Sequence, residues 1–102
     1  MASKRARTER RDAARASVKL AEARLKLARL ERGGSAERPI EVTSASVIEV
    51  HAVGLPCAAC GASGVRVEEH IASEGLRVVK LLCPRCSVRR DLYFRIQPVL
   101  AS

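Results

Sequence analysis

Two short stretches decide how this chain is read: Leu55-Pro56-Cys57-Ala58-Ala59-Cys60-Gly61 and Leu82-Cys83-Pro84-Arg85-Cys86-Ser87. Each sets two cysteines two residues apart. That gap lets both thiolates of one tight turn point at a common ion while the turn amides donate hydrogen bonds to the sulfurs. Twenty-two residues separate Cys60 from Cys83, room for a hairpin that returns the second pair beside the first. Four soft thiolates in tetrahedral array suit Zn2+, so the expectation is one zinc per chain on Cys57, Cys60, Cys83 and Cys86.

The residues between the pairs support the hairpin. Val65, Val67 and Ile71 fall on one parity and Arg66, Glu68 and His70 on the other, the period of a half-buried strand. Ser73-Glu74-Gly75 is a turn signal. Leu76, Val78 and Leu82 then alternate with Arg77, Val79 and Leu81 along a return strand. Past the second pair, Leu92, Phe94 and Ile96 alternate with Tyr93 and Arg95 as a third strand closed by Pro98, with Phe94 inward and Tyr93 outward. Upstream, Ile40, Val42, Val47, Ile48 and Val50 read as an extra strand across residues 40–50, interrupted at Ser44-Ala45-Ser46.

This arrangement of pair, hairpin, pair and strand, covering residues 55–97, resembles the zinc ribbons of transcription factors, RNA polymerase subunits and ribosomal proteins. The resemblance implies a small metal-stapled β fold, a three-stranded antiparallel sheet, with the four cysteines as ligands. It also implies partners of the nucleic-acid or nucleoprotein type. Two departures mark a divergent ribbon: Ser87 stands where a glycine usually follows the turn, and only the second pair carries a proline, Pro84. The neighbouring acids Glu68 and Glu69 resemble the acidic hairpin tips of transcript-cleavage elongation factors. They lie several residues before the turn, however, and a solvated strand face accounts for them.

A staple is needed. With 102 residues and only Tyr93 and Phe94 aromatic, a small domain has little core to hold it. Structural zinc supplies roughly 10–16 kcal/mol of apparent binding free energy, against a typical net folding stability of ~5–15 kcal/mol. Four protein thiolates leave no open coordination position, which argues against catalytic zinc. A redox pair is the other use of such cysteines. It wants a helix N-terminus behind the first thiol, whereas Gly61-Ala62-Ser63-Gly64 reads as a loop.

The N-terminal third has a different character. Residues 1–32 hold eleven basic against four acidic residues, a net +7, and the remaining seventy residues carry +1. Residues 1–7 read as a disordered basic tail and residues 8–32 as a basic helix capped by Thr8, with Glu9 and Asp12 in its first turn. Gly33-Gly34 supplies the stop and residues 33–39 a linker, leaving residues 40–102 to the ribbon domain. Ala13, Ala16, Leu20, Ala23, Leu27 and Leu30 recur at steps of three and four, a heptad seam. Val18, Ala21, Leu25 and Ala28 form a second, weaker stripe. The seam, through Leu20, Leu27 and Leu30, suits a protein partner or a weak homodimer.

The polyanion candidates follow from charge. Arg7, Arg11, Arg15 and Lys19 repeat every four residues, so their mutual repulsion would be relieved by a polyanion. Arg85, Arg89, Arg90 and Arg95 cluster near the second pair, with Tyr93 available to stack on a base. His51 and His70 read as surface histidines. There is no paired-acid, Ser–His or phosphate-loop constellation, so the chain is expected to be non-enzymatic, without a small-molecule substrate. The basic start never reaches an apolar signal region, and no stretch approaches the ~20 apolar residues of a membrane span. The long uncharged run from Val50 to Val65 is broken by glycines and Pro56 and suits a loop. The compartment expected for reduced cysteines is the cytosol.

Overall fold

The hydrophobic spacing of the second half resolves into a sheet. The structure, a computed structural model, describes residues 4–97. Its elements in chain order are helix α1 (Lys4–Leu30), strand β1 (Ile40–Val42), a 3-10 turn (Ala45–Val47), helix α2 (Ile48–Gly54), and strands β2 (Arg66–Ser73), β3 (Leu76–Leu82) and β4 (Arg89–Ile96). The sheet order is β1-β4-β3-β2. Strands β2, β3 and β4 form the expected antiparallel set, joined first by the two-residue turn Glu74-Gly75. Both turn residues have positive φ, the twist that suits a tight hairpin.

The sheet is not the three-stranded antiparallel ribbon that was expected. β1 adds a fourth strand, parallel to β4, with Ile40 opposite Phe94 and Val42 opposite Ile96. Only three residues of the expected strand 40–50 are extended. From Ala45 the chain is helical, because winding it places Ile48 and Ala52 on one face, four residues apart, where both are fully buried. That burial against Val79, Leu92 and Phe94 outweighs the β preference of Val47, Ile48 and Val50. Val47, Val50 and Val53 are left on the solvent side, so the first residues of the run 50–65 are helix rather than loop.

A second correction concerns parity. The β2–β3 register shifts between Val67 and Glu69, so Glu68 is an extra residue and every later side chain changes face. Val65 and Val67 face inward as expected, but His70 also turns inward, opposite the buried Val79, and Ile71 turns out. His70 is therefore not a surface histidine. Its Nε2 accepts from Arg77 Nη1 at 3.4 Å, which leaves Nδ1 as the protonated nitrogen facing Glu49 Oε2 of α2 at 3.8 Å. His51 is exposed, with its ring edge-on to Phe94 at 5.7 Å between centroids.

Helix α1 begins at Lys4, not Thr8. The Thr8 hydroxyl donates to the Lys4 carbonyl at 2.9 Å, one turn back inside the helix, instead of capping a terminus. Of the expected tail, residues 4–7 are helical; residues 1–3, like Pro98, lie outside the described residues. The helix ends at Leu30, whose carbonyl accepts from Arg38 Nη1 at 2.9 Å. The segment 33–39 is a packed connection. Gly33 is buried at φ +89°, its carbonyl accepts the Tyr93 amide at 2.8 Å, and a Cβ there would stand 2.7 Å from Ile40 Cδ1.

Candidate metal centre

Each cysteine pair sits in the same backbone turn. The Cys57 amide donates to Ala62 O at 2.9 Å and the Gly61 amide to Cys57 O at 2.8 Å. The second turn repeats this: Cys83 N to Val88 O at 3.0 Å and Ser87 N to Cys83 O at 2.8 Å. Closing such a turn requires a left-handed residue after the second cysteine, and Gly61 (φ +76°) and Ser87 (φ +62°) fill that position. Ser87 therefore keeps the glycine conformation at a steric cost.

The hairpin then brings the turns together. Cys57 Sγ lies 3.6 Å from Cys86 Sγ, and Cys60 Sγ 3.7 Å from Cys83 Sγ. All four sulfurs fall within 4.8 Å of one another, inside metal-binding distance. A tetrahedral ion with metal–sulfur bonds of ~2.3 Å spaces its ligand sulfurs about 3.8 Å apart, so the donor set fits such an ion with little movement. No pair approaches the ~2.05 Å of a disulfide, and all four cysteines are free. Cys57 and Cys83 are buried beneath the turns, while Cys60 and Cys86 are exposed.

The electrostatics of the cluster also call for a cation. The Cys83 thiol is lowered to about 7, chiefly by the Cys86 backbone amide, against the opposing effect of burial and with help from the Arg85 amide. The Cys86 thiol is pushed up to about 12 by desolvation and by the sulfurs of Cys57, Cys60 and Cys83. One thiolate forms readily, and later ones meet a growing like charge. Four thiolates can coexist in this space only around a positive ion.

The basic candidates are divided by the fold. Arg7, Arg11, Arg15 and Lys19 lie on α1, where every residue from 7 to 20 is exposed. The only ion pair of α1 among the described residues is Arg5 with Glu9, at 3.7 Å. Arg85 is exposed on the second turn. On the outer face of β4, Arg89 is engaged by Glu68 at 2.8 Å, which holds its guanidinium above the ordinary value; Tyr93 is half-buried and Arg95 exposed. Arg90 is on the opposite face with the buried Leu92 and Phe94, so the expected arginine patch is split by the sheet. Burial lowers the Arg90 guanidinium, partly offset by Glu31 and Cys57.

The helix docks through its weaker stripe. Ala21 and Leu25 pack on the core and Ala28 is buried, while Leu20, Leu27 and Leu30 of the heptad seam remain 51%, 59% and 68% exposed. Arg24 Nη1 donates to Ala59 O at 3.3 Å, tying α1 to the first cysteine turn. Sequence reasoning missed Arg24, and it grouped Arg90 with the outward arginines although the even-numbered parity of Arg90, Leu92 and Phe94 carried the signal for the other face. No helix among the described residues is long and apolar enough to cross a membrane. No family model, curated protein or solved structure matches this chain.

Proposed function

We propose that this chain is a non-enzymatic module of the zinc-ribbon kind, which holds one structural Zn2+ and presents a basic helical arm to nucleic acid or a nucleoprotein. Zinc is favoured because four thiolates at tetrahedral spacing match its softness and geometry, and zinc outranks divalent iron at such a site. Elemental analysis of the purified chain should give one zinc per molecule. A strong chelator should remove it together with the amide dispersion of the sheet. A metal-free chain with the same dispersed spectrum would refute the staple.

The observation that carries the binding half of the reading is the bare arm. Residues 4–20 hold Lys4, Arg5, Arg7, Arg10, Arg11, Arg15 and Lys19 against Glu9 and Asp12. No acidic residue stands in the first turn of α1, so its cations crowd the positive end of the helix dipole. A phosphate backbone would relieve both strains. Binding of a labelled duplex should weaken steeply with salt. Exchanging Arg7, Arg11, Arg15 and Lys19 for Gln should reduce the log–log salt slope by up to about 3–4. An unchanged slope, or no salt-dependent binding at all, would sink the proposal.

The exposure of Leu20, Leu27 and Leu30 favours a second reading, a protein adaptor docking through the seam. Replacing the three leucines by Ser would abolish adaptor binding yet leave charge-driven binding to nucleic acid in place. In a parallel self-paired coil Lys19 of one copy would oppose Arg24 of the other while Lys26 would attract Glu31, so the flanking charges favour neither a partner copy nor its absence. A thiol redox role, the third use of these cysteines, would show as a solvent-reactive Cys57 or Cys83 in the metal-free chain.

A further inference from the structure

Between α1, α2 and segment 55–58 the fold leaves a cleft of about 580 Å³. That is the size of ordinary small-molecule sites, ~300–1,000 Å³. Its walls are apolar: Leu27 and Ala28 from α1, Ile40 from β1, and Leu55, Pro56 and Ala58 from the approach to the first cysteine turn. Arg90 lies within it, brought there by the same parity that separates it from Arg89 and Arg95. The Arg90 guanidinium is half-buried and donates no hydrogen bond to any described residue; the charges that act on it are Glu31 and Cys57. Arg24, Arg32, His51 and Cys57 also line the cleft, so three guanidinium groups meet two anionic groups, the Glu31 carboxylate and the Cys57 sulfur of the cysteine cluster.

An open cleft with apolar walls, one half-buried guanidinium without a hydrogen-bond acceptor and two more at its rim, describes its own complement. We infer that this cleft binds a small amphipathic anion, a carboxylate or phosphate monoester on an apolar body, with the anionic head on Arg90 and the body against Leu27, Leu55 and Pro56. A planar guanidinium offers such a head two parallel donors, and its weak hydration makes the exchange of water for anion favourable. Arg24 already gives one nitrogen to Ala59, which leaves it at the rim as a steering charge.

The test uses the zinc-loaded full chain, titrated with sodium decanoate below its micellar range and followed by calorimetry and backbone amide shifts. Decanol and decylammonium serve as controls of equal length without the negative charge. The expected result is saturable one-to-one binding of decanoate, with shifts centred on Leu27, Leu55, Ala58 and Arg90, and none of decylammonium. Arg90→Gln should weaken it about tenfold or more. Leu27→Glu, at a side chain 59% exposed and so harmless to folding, should weaken it similarly while zinc content stays at one. The inference is overturned if decanoate does not saturate, if its shifts run along residues 7–20 as simple attraction to the arm would produce, or if Arg90→Gln binds as the parent does. It fails equally if Arg90→Gln loses zinc while Leu27→Glu binds normally, for Arg90 would then be only the counter-charge of the metal centre.

Discussion

Ser87 and Gly61 occupy equivalent places in the two cysteine turns, yet only one has a side chain to accommodate at φ near +60°. Left-handed backbone costs a residue with a Cβ ~1–2 kcal/mol. Ser87→Gly should therefore stabilise the metal-loaded chain by about 1 kcal/mol, read as a rise of several degrees in its thermal midpoint. Gly61→Ala should lower it by a similar amount, since no atom lies within 4 Å of the added Cβ and only the backbone penalty applies. Protonation supplies another expectation. With Cys83 lowered to about 7, its thiolate favours the metal-free fold above the ordinary thiol range, and that contribution is lost as pH falls through about 7. Cys86, raised to about 12, acts oppositely: its proton favours the fold below the ordinary range, and the benefit is lost as pH rises through about 12. Because loss of the metal is expected to unfold the sheet, the four thiols of the metal-free chain start near their ordinary value and mostly protonated, so zinc loading at pH 7 should release about four protons, measurable by calorimetry in buffers of different ionisation enthalpy.

Among the elements, the two hairpin strands, β4 and the body of α1 were legible because their periodicity and turn residues agree. The failures have separate physical causes. In segment 45–54 the side chains prefer extended backbone, and only the fit of Ile48 and Ala52 against Val79, Leu92 and Phe94 makes it helical, a fact held in residues 27 to 46 positions away. Ile48→Ala should then cost about 2–5 kcal/mol, while Val50→Ala, at a side chain 72% exposed, should change the denaturation midpoint little. The extra residue at Glu68 inverts the simple alternation of strand β2, and nothing in Val67-Glu68-Glu69-His70 announces a bulge. The glycine pair after α1 reads as a stop in the sequence, and its packing role shows only in the fold. Gly33→Ala would force a Cβ to 2.7 Å from Ile40 and 3.0 Å from Leu92 at a left-handed position, and should cost ~2 kcal/mol or more in denaturant unfolding.

At the scale of the whole molecule the cysteine set was readable at once, because two equal turns and a hairpin admit few arrangements. The shape was not. The chain measures 73 × 22 × 21 Å, a small body with α1 running out from it. Body and arm rest on different supports. Cys57 and Cys83 belong to the buried core of the sheet, whereas residues 7–20 contribute nothing to it. Chelation should consequently collapse the amide dispersion of residues 57–97 and leave partial helicity in the arm, whose Ala, Leu, Arg, Lys and Glu favour helix by themselves. Segment-resolved NMR before and after chelation checks this, and simultaneous loss of both parts would show that the arm leans on the body after all.

The docking of α1 has a mechanical corollary. The helix rests on the body through Ala21, Leu25 and Ala28, and Lys4 lies ~25 Å beyond that support at 1.5 Å per residue. Two of the three supports are alanines, so the fulcrum is narrow while the lever is long. Because Ala28 of this fulcrum also walls the cleft of Arg90, whatever wedges the cleft open there by a fraction of an ångström swings the charged tip roughly two to three times as far.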